Sequence, residues 1–311
     1  MNNTSDSAPL SDRPAPFLGE AAIRKILRYE DLIPAMESAL SDFSSGKVLQ
    51  PVRSILPVEK HQGFFGVMPA VYGDVFGAKL VTLFPLNAGT ELPTHQGIIV
   101  IFRAATGEAI AVLDGRLITE MRTAAVSAVA TKWLAKKDAT VLAILGSGVQ
   151  ARAHFQALGL VRHFSEVWIW SRTTAKAQAL AKEIGGIATT AEDAVRRADV
   201  VVSATQASEP ILQGRWLKPG ALVCAVGAVG TKNRELDDAA MQGYVVVDSR
   251  EAAKLESGDV LLAGAKVYAE LGEILAGKAP TPPADTIVFK SLGLAVEDLA
   301  AAKLVLQLNR L

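Results

Sequence analysis

The distribution of apolar positions divides the chain into two regions. Up to about residue 120, short apolar or alternating runs are broken by turn residues, as in "AKLVTLFPL" and "GIIVIFRAATGE". Runs of this length and period predict a mostly antiparallel sheet. One early segment, "IRKILRYEDLIPAMESALSDFSSG", has helical spacing instead. The first region is therefore predicted to be an α+β unit.

From "RTAAVSAVATKWLAKKD" onward, apolar strands alternate with helices rich in Ala, Gln, Lys and Glu. The strands are "TVLAILG", "EVWIWS", "ADVVVSAT", "ALVCAVG" and "YVVVDS". This alternation is typical of an α/β fold with a doubly wound parallel sheet. The last segment, "TIVFKSLGLAVEDLAAAKLVLQLNRL", predicts a strand, a glycine turn and an amphipathic helix. We expect that helix to pack back on the first region.

Composition and charge exclude several classes of function. The 311 residues include 32 basic and 32 acidic ones, so a nucleic-acid or anionic-membrane partner is not expected. No apolar stretch approaches the roughly 20 residues of a membrane span. The single cysteine, Cys224, lies in an apolar run and is predicted to be a buried small side chain. The polar start predicts a disordered lead-in rather than a secretory signal, and we expect a soluble, cytoplasmic protein.

The stretch "VLAILGSGVQARAHFQAL" predicts a strand, a glycine turn and a helix. Gly146, Gly148 and Ala151 occupy the three small-residue positions of the dinucleotide-binding turn, and alanine is an accepted variant at the third. Such a turn presents backbone amides to a pyrophosphate at a helix N-terminus. "SATQ" and "AVGAVG", which include Thr205, Val226 and Gly227, follow later strands. They are expected to line the nicotinamide half of the site.

The end of the second strand indicates which dinucleotide binds. Enzymes that prefer NAD usually carry a carboxylate there, which accepts hydrogen bonds from the ribose hydroxyls. This chain has Ser171, Arg172 and Thr173 instead. An arginine flanked by hydroxyls can bind a 2′-phosphate through charge-assisted hydrogen bonds. The sequence therefore predicts NADPH as the cofactor, with NADH also possible.

Three basic residues lie in apolar or β-like surroundings and are candidates for binding an anionic substrate. They are Arg53, Lys79 and Arg122. Arg122 is predicted to lie just before a helix of small apolar residues, where burying an arginine requires an anionic partner. A substrate carboxylate would be such a partner. The four histidines have no metal-site spacing, although His95, in a predicted turn before a strand, could reach a cleft.

Several long motifs resemble those of the ornithine cyclodeaminase/mu-crystallin family. They include "RTAAVSAVATKWL", "ILGSGVQA", "GRWLKPGALVCAVGA", "RELDD", "DSREAAKLESGDVLL" and "VFKSLGLAVEDLAAAKL". The similarity extends from about residue 45 to the end of the chain. "RELDD" and the stretch that begins "SREAAKLESGDVLL" favour the ketimine-reductase branch of that family.

The resemblance implies a homodimer with a nucleotide domain between two halves of a substrate domain. The predicted boundaries are 1–16 for the lead-in, 17–122 and 295–311 for the substrate and dimerisation domain, and 123–294 for the dinucleotide-binding domain. By resemblance, Arg53, Lys79 and Arg122 hold the substrate carboxylate. Met68 and Leu292 are assigned to the same substrate site. Thr94, Val149, Gln150, Thr205 and Ser291 fall on cofactor-contacting positions.

Two departures from the family pattern bear on the reaction. The catalytic aspartate of ornithine cyclodeaminases is replaced by Val229, and a glutamate that contacts the substrate amine is replaced by Gly66. Oxidising an amino acid requires an acid/base group near its amine, whereas reducing a preformed cyclic imine mainly requires positioning and one hydride.

The sequence therefore predicts NAD(P)H-dependent reduction of Δ1-pyrroline-2-carboxylate and Δ1-piperideine-2-carboxylate to proline and pipecolate. Lys79 or His95 is the hypothetical proton donor. One alternative is a cyclodeaminase or amino-acid dehydrogenase that works oxidatively. The other is a binding protein for NADPH or a small ligand without catalysis.

Overall fold

A computed structural model describes residues 14–283 and 285–309, which form two sheets and ten helices. Most of the predicted lead-in, residues 1–13, lies outside the described residues. The order of elements follows the division that the hydrophobic pattern predicts. One sheet comes from the first region of the chain, and the other comes from the second.

The first sheet is antiparallel except at one edge. Its strands are β1 (Phe17–Leu18), β2 (Val48–Leu49), β3 (Ser54–Val58), β4 (Gly63–Tyr72), β5 (Val75–Leu83), β6 (His95–Arg103) and β7 (Ala109–Asp114). They are arranged in the order β1-β7-β6-β5-β4-β2, and β3 also pairs with β4. Only the short β1–β7 pair is parallel. The predicted antiparallel sheet is confirmed.

The early helical segment forms two helices rather than the single helix predicted. They are α1 (Glu20–Ile26) and α2 (Tyr29–Ser44). The chain is extended at Leu27 and Arg28, which close the first helix and begin the second. Ile23, Leu27 and Leu32 are all buried, so the turn between the helices keeps both apolar faces on the core.

The second sheet is parallel throughout. Its strands are β8 (Val141–Leu145), β9 (Glu166–Trp170), β10 (Ile187–Ala188), β11 (Val200–Ser203), β12 (Leu222–Ala225), β13 (Tyr244–Val247), β14 (Val267–Glu270) and β15 (Ile287–Lys290). The order β10-β9-β8-β11-β12-β15-β13-β14 makes the chain wind outward in both directions from β8. The predicted Rossmann-type fold is confirmed, and the carboxyl ends of β8 and β11 flank the point where the winding reverses.

The helices of the second region connect these parallel strands. They are α4 (Val149–Gly159), α5 (Thr174–Ile184), α6 (Ala191–Arg197), α7 (Arg250–Glu256), α8 (Gly258–Ala263) and α9 (Leu271–Leu275). Cys224 in β12 is fully buried, and burial raises the pKa of its thiol to about 12. The prediction of an inert, buried cysteine is therefore confirmed. Within the described ranges, no helix is both long and apolar enough to cross a membrane.

Two long helices join the regions. The helix α3 (Gly115–Leu134) packs against α2 and α4, and α10 (Ala295–Leu308) packs against α2, α3 and the strands β4, β5 and β6. The last helix thus returns to the first sheet as predicted. It is not amphipathic, however, because residues 295–302 are buried on every side. The predicted domain boundary at residues 122 and 123 falls in the middle of α3.

Candidate active site

The glycine turn lies between β8 and α4. Gly146 has φ +134°, and a Cβ atom there would lie 2.6 Å from the carbonyl oxygen of Ala204 after β11. Only glycine therefore suits this position. A Cβ at Gly148 would meet nothing within 4 Å, while Ala151 is fully buried against the sheet. Open space at the N-terminus of an eleven-residue helix suits the pyrophosphate of a dinucleotide.

The end of β9 lies beside this turn. The Ser171 hydroxyl is 2.9 Å from that of Ser147 within the glycine turn. Arg172 and Thr173 are exposed, so their side chains are accessible to a ligand at the turn. The proposed binding of a 2′-phosphate by these residues stays a prediction.

A buried glutamate, which the sequence analysis did not single out, connects the loops after β11 and β12. One oxygen of Glu235 accepts hydrogen bonds from the Ser203 hydroxyl and from the backbone N–H and hydroxyl of Thr205, at 2.7–2.8 Å. The other accepts from the backbone N–H groups of Gly227 and Ala228, at 2.8 and 3.1 Å. Glu235 is fully buried. It therefore fixes the two loops that carry the predicted cofactor residues Thr205, Val226 and Gly227.

A second buried carboxylate, Asp248, shapes the turn between β15 and α10. It accepts hydrogen bonds from the Ser291 hydroxyl and from the backbone N–H groups of Leu292 and Gly293, at 2.6–3.1 Å. Gly293 has φ +82°, and a Cβ there would lie 2.4 Å from Nη1 of Arg122. The turn therefore requires glycine, and it brings Ser291 and Leu292 beside the arginine.

Arg122 lies within α3 rather than before a helix as predicted, and its partners are protein carboxylates. Its Nε is 3.1 Å from Asp298 and its Nη1 is 2.7 Å from Glu297. Lys79 Nζ lies 2.7 Å from the other oxygen of Asp298 and 3.4 Å from the Thr119 hydroxyl. The anionic partner expected for Arg122 thus comes from α10. The sequence alone does not reveal this pairing, because "VEDLAAAKL" contains no signal for burying its acidic pair.

Arg53 joins the same cluster from the loop before β3. Its Nη2 donates to the carbonyl oxygens of Leu292 and Gly293, at 2.7 and 2.8 Å. Its Nε lies 3.0 Å from a carboxylate oxygen of Glu256. Arg53 Nη1 and Arg122 Nη2 form no hydrogen bond with any residue in 14–283 and 285–309. Both nitrogens can therefore donate to a ligand.

Burial and neighbouring charges tune the titratable groups of this cluster. Burial, together with Arg122 and Arg53, lowers the pKa of Lys79 to about 8, although Asp298 opposes the shift. Burial and the charges of Lys79 and Arg122 lower the pKa of His95 to about 4. At neutral pH, Lys79 thus keeps its positive charge while His95 is neutral. Of the two hypothetical proton donors, the electrostatics favour Lys79.

The pKa values of the two acidic partners on α10 are shifted in opposite directions. Burial raises the pKa of Glu297 to about 7, although Arg122 opposes the shift. Burial would also raise the pKa of Asp298, but the charges of Lys79 and Arg122 hold it below its usual value. Asp298 is therefore the permanent counter-ion of the cluster.

Gly66 and Val229 occupy the two positions at which the family pattern has carboxylates, and the structure shows their surroundings. Met68 is buried and lies opposite Lys79 in the β4–β5 register. Two residues earlier, a Cβ at Gly66 would lie 2.8 Å from Val81 and 3.2 Å from Ile55. No glutamate fits there without displacing both side chains. Val229 is 39% exposed in the loop after β12.

The other predicted site residues lie around the junction of the two sheets. His95 is the first residue of β6 and pairs with Leu83 in the sheet, rather than lying in a turn as expected. Thr94 directly precedes it and is half-buried. Val149 and Gln150 begin α4. In the described part of the chain, no group of three or more His, Cys, Asp or Glu residues could hold a metal ion.

The fold and the site define a nucleotide-binding protein with a cluster of buried cations beside the turn at Ser291–Gly293. Its family follows from comparison with known proteins: the chain belongs to the ornithine cyclodeaminase/mu-crystallin family, whose model matches residues 16–309. A curated relative, ketimine reductase mu-crystallin of Mus musculus, is 48% identical over 299 residues, which cover 93% of this chain and 96% of the relative. The predicted family and its ketimine-reductase branch are confirmed.

Two solved structures have closely similar folds. Thermococcus litoralis Δ1-pyrroline-2-carboxylate reductase, in complex with NADH and L-proline, matches with a TM-score of 0.90 and 34% identity, covering 95% of this chain and 97% of that one. An archaeal alanine dehydrogenase dimer with bound NAD matches with a TM-score of 0.89 and 29% identity, covering 95% and 96%. The similarity extends over 95% of this chain, so it includes both sheets.

Proposed function

We propose that this protein is an NAD(P)H-dependent reductase of cyclic ketimines, which converts Δ1-pyrroline-2-carboxylate and Δ1-piperideine-2-carboxylate to proline and pipecolate. The observation that carries the proposal is the convergence of Arg53, Lys79 and Arg122 beside the turn at Ser291–Gly293. The similarity to the mouse ketimine reductase and to the Thermococcus litoralis reductase supports the same reaction.

The three cations are arranged to hold one carboxylate. Arg53 Nη1 and Arg122 Nη2 can donate to it while the other guanidinium nitrogens stay fixed by protein oxygens. Lys79, on β5, adds a third positive charge. Because the protein partners set the positions of these donors beforehand, substrate binding orders few side chains, and the ring is held in one orientation.

The reduced nicotinamide, when bound at the glycine turn, supplies the hydride. The turn at Gly146–Gly148 and the loops fixed by Glu235 would hold the cofactor. Met68 and Leu292 form apolar walls that keep water from the ring. The cyclic imine is basic enough to enter as the iminium ion, so positioning can supply most of the acceleration.

The absence of carboxylates at positions 66 and 229 favours reduction over amino-acid oxidation. An oxidative reaction needs a base that removes a proton from the substrate amine. Gly66 has no room for such a group, and Val229 has no ionisable atom. The iminium carbon accepts the hydride directly, so the reduction requires no base.

The direct test is the oxidation of NADPH by the purified protein in the presence of each cyclic imine. L-ornithine with NAD⁺ runs in parallel as the oxidative reaction. We expect turnover with the imines and none with ornithine. Turnover of ornithine would contradict the inference that Gly66 and Val229 exclude amino-acid oxidation. Binding of NADPH without turnover in either direction would favour the carrier alternative.

Arg172 provides a test of cofactor preference. Replacing Arg172 by alanine should raise KM for NADPH about 10-fold and leave KM for NADH nearly unchanged, because only NADPH carries the 2′-phosphate that a charged hydrogen bond would hold. Arg172→Lys should fall between the two, since it keeps the charge without the planar fork. Equal changes for both cofactors would remove Arg172 from this role.

Lys79 provides a test by pH. The inhibition constant of L-proline should rise as the pH passes about 8, by about tenfold per pH unit, because Lys79 loses the charge that attracts the carboxylate. L-proline suits the measurement because neither of its groups titrates near this pH. The variant Lys79→Met should bind L-proline weakly at every pH. A constant value for the native protein between about pH 7 and 9 would contradict the assignment.

We infer that the protein is a homodimer formed through the outer face of the first sheet. The opposite face is covered by α10. On this outer face the positions of β4, β5 and β6 are apolar apart from Thr82 and Gln96, and Ile98 and Val71 there are 38% and 42% exposed. Its apolar members are Phe65, Val67, Pro69, Val71, Phe76, Ala78, Leu80, Ile98, Val100 and Phe102.

An apolar face of this extent is typical of a subunit interface. The archaeal alanine dehydrogenase is a dimer, which supports the same assembly here. A buried free thiol and a nicotinamide cofactor suit a reducing compartment. We therefore also propose a cytoplasmic location.

A further inference from the structure

Glu256 is a half-buried carboxylate that the proposed reaction has not yet used. It ends α7, and its side chain is only 15% exposed. Its Oε2 atom is fully buried and makes no hydrogen bond within the described residues, although Arg53 Nε lies 3.0 Å away. The ion pair is therefore poorly directed. Arg53 balances the charge of this carboxylate, and the second oxygen, Oε1, keeps its acceptor capacity for a ligand.

Glu256 adjoins the proposed substrate site through Arg53. It lines a pocket together with Arg53, Met68, Gly293 and Leu294. Its backbone carbonyl accepts a hydrogen bond from the N–H of Gly230 at 2.9 Å. Gly230 directly follows Val229, the position at which ornithine cyclodeaminases carry their aspartate. Glu256 thus lies next to the loop from which that aspartate is missing, with its carboxylate paired to Arg53.

The other buried carboxylates of the site are less able to receive a ligand. Asp248 and Glu235 each accept several protein hydrogen bonds. Asp298 faces Lys79 and Arg122, and its side chain is fully buried. Glu297 has one unpartnered oxygen, but its side chain is also 0% exposed. Of these five carboxylates, Glu256 is the one with a partly exposed side chain, and its Oε1 atom accepts no hydrogen bond from any described residue.

We propose that Glu256 accepts a hydrogen bond from the ring N–H of the iminium substrate. This inference rests on the proposed function and deepens it by naming the residue that recognises the nitrogen. The substrate carboxylate lies on Arg53, Arg122 and Lys79, while Glu256 fixes the other polar atom of the ring. Two fixed points orient a planar ring, so C2 presents one face to the nicotinamide.

The chemical step is balanced with Glu256 in this role. The nicotinamide C–H bond breaks and its electron pair forms the new C–H bond at C2 of the ring. The π electrons of the C=N⁺ bond become the nitrogen lone pair, and the N–H held by Glu256 stays on nitrogen. The negative charge of Glu256 stabilises the bound cation. Burial raises the pKa of this carboxyl, and the charge of Arg53 opposes the shift.

The first test compares two planar inhibitors that carry the same carboxylate. Pyrrole-2-carboxylate has a ring N–H, whereas furan-2-carboxylate has a ring oxygen. We expect the native protein with NADP⁺ to bind the pyrrole at least about 10-fold more tightly, because the furan leaves Glu256 without a donor. Calorimetry measures both affinities without relying on turnover. Equal affinities would overturn the proposal whatever the variants do.

The second test uses Glu256→Gln, which keeps the shape of the side chain and removes its charge. We expect kcat/KM for Δ1-pyrroline-2-carboxylate to fall about 10- to 100-fold, KM for NADPH to stay unchanged, and the preference for pyrrole over furan to decrease, because the neutral amide oxygen is a weaker acceptor than the carboxylate. The control is Glu192→Gln, because Glu192 is also paired with an arginine, Arg196 at 2.8 Å, but on the surface. It should behave as the native protein.

The outcomes separate this inference from the proposed function. Native protein that reduces neither imine but prefers pyrrole to furan would refute the reaction and keep Glu256 as an N–H acceptor. Native protein that reduces the imines, together with a Glu256→Gln variant of unchanged kcat/KM and unchanged inhibitor preference, would refute the role of Glu256 alone.

Discussion

Replacing Arg122 by methionine should cost about 3–5 kcal/mol of folding free energy and lower kcat/KM for the cyclic imines at least about 100-fold. Arg122 is buried between Glu297 and Asp298. Removing one partner of a buried ion pair leaves the other charge uncompensated, which is among the most costly single changes in a protein. The loss of activity follows separately, since a donor to the substrate carboxylate disappears.

The stability deficit of this variant should depend on pH with a definite sign. Without Arg122, the folded-state pKa values of Glu297 and Asp298 should rise above their values in the unfolded chain. When the pKa of a carboxyl group is higher in the folded than in the unfolded protein, ionising the group costs more in the folded state. The free energy of unfolding therefore falls as the pH rises. We therefore expect a larger deficit at about pH 8 than at about pH 5, measured by urea unfolding at both.

The matched control is Arg196→Met. Arg196 pairs with Glu192 at 2.8 Å, but both side chains are about half exposed, and surface pairs of this kind contribute about 0–1 kcal/mol. A deficit for Arg122→Met as small as that of the control would mean that the buried cluster is not an ion-pair network. A large deficit with no pH dependence would point to lost packing instead.

Replacing Leu80 by glutamate should convert the proposed dimer to monomers or weaken dimerisation at least about 100-fold. Leu80 lies on β5 near the middle of the apolar outer face and pairs with Ile98 on β6. In a twofold interface each substitution counts twice, so two unpaired charges are buried when the subunits meet. Sedimentation velocity over a range of concentrations measures the change.

The control for the interface is Leu160→Glu. Leu160 is 50% exposed and follows α4 in the nucleotide-binding domain, away from the first sheet. This variant should sediment as the native protein does. If the native protein is itself a monomer, or if Leu80→Glu remains dimeric, the outer face of the sheet is not the interface.

The hydrophobic pattern was sufficient to predict the two sheets, because strand and helix periods depend on neighbouring residues. The glycine turn was equally accessible, since Gly146 and Gly148 follow an apolar strand and precede a helix at fixed spacing. The three cations were identified because each is charged within an apolar stretch. The break between α1 and α2 was missed, since "LRYED" contains neither glycine nor proline.

The sequence by itself determined the fold class, the cofactor turn and the three cations, because these depend on residues close together in the chain. Only the tertiary structure decided how the cations are balanced. Arg122 meets Asp298 across 176 positions, and Arg53 reaches the turn at Gly293 across 240. These residues meet because α10 packs against the first sheet. Burial then decides which of their charges persist at neutral pH, and neither effect can be read from local sequence.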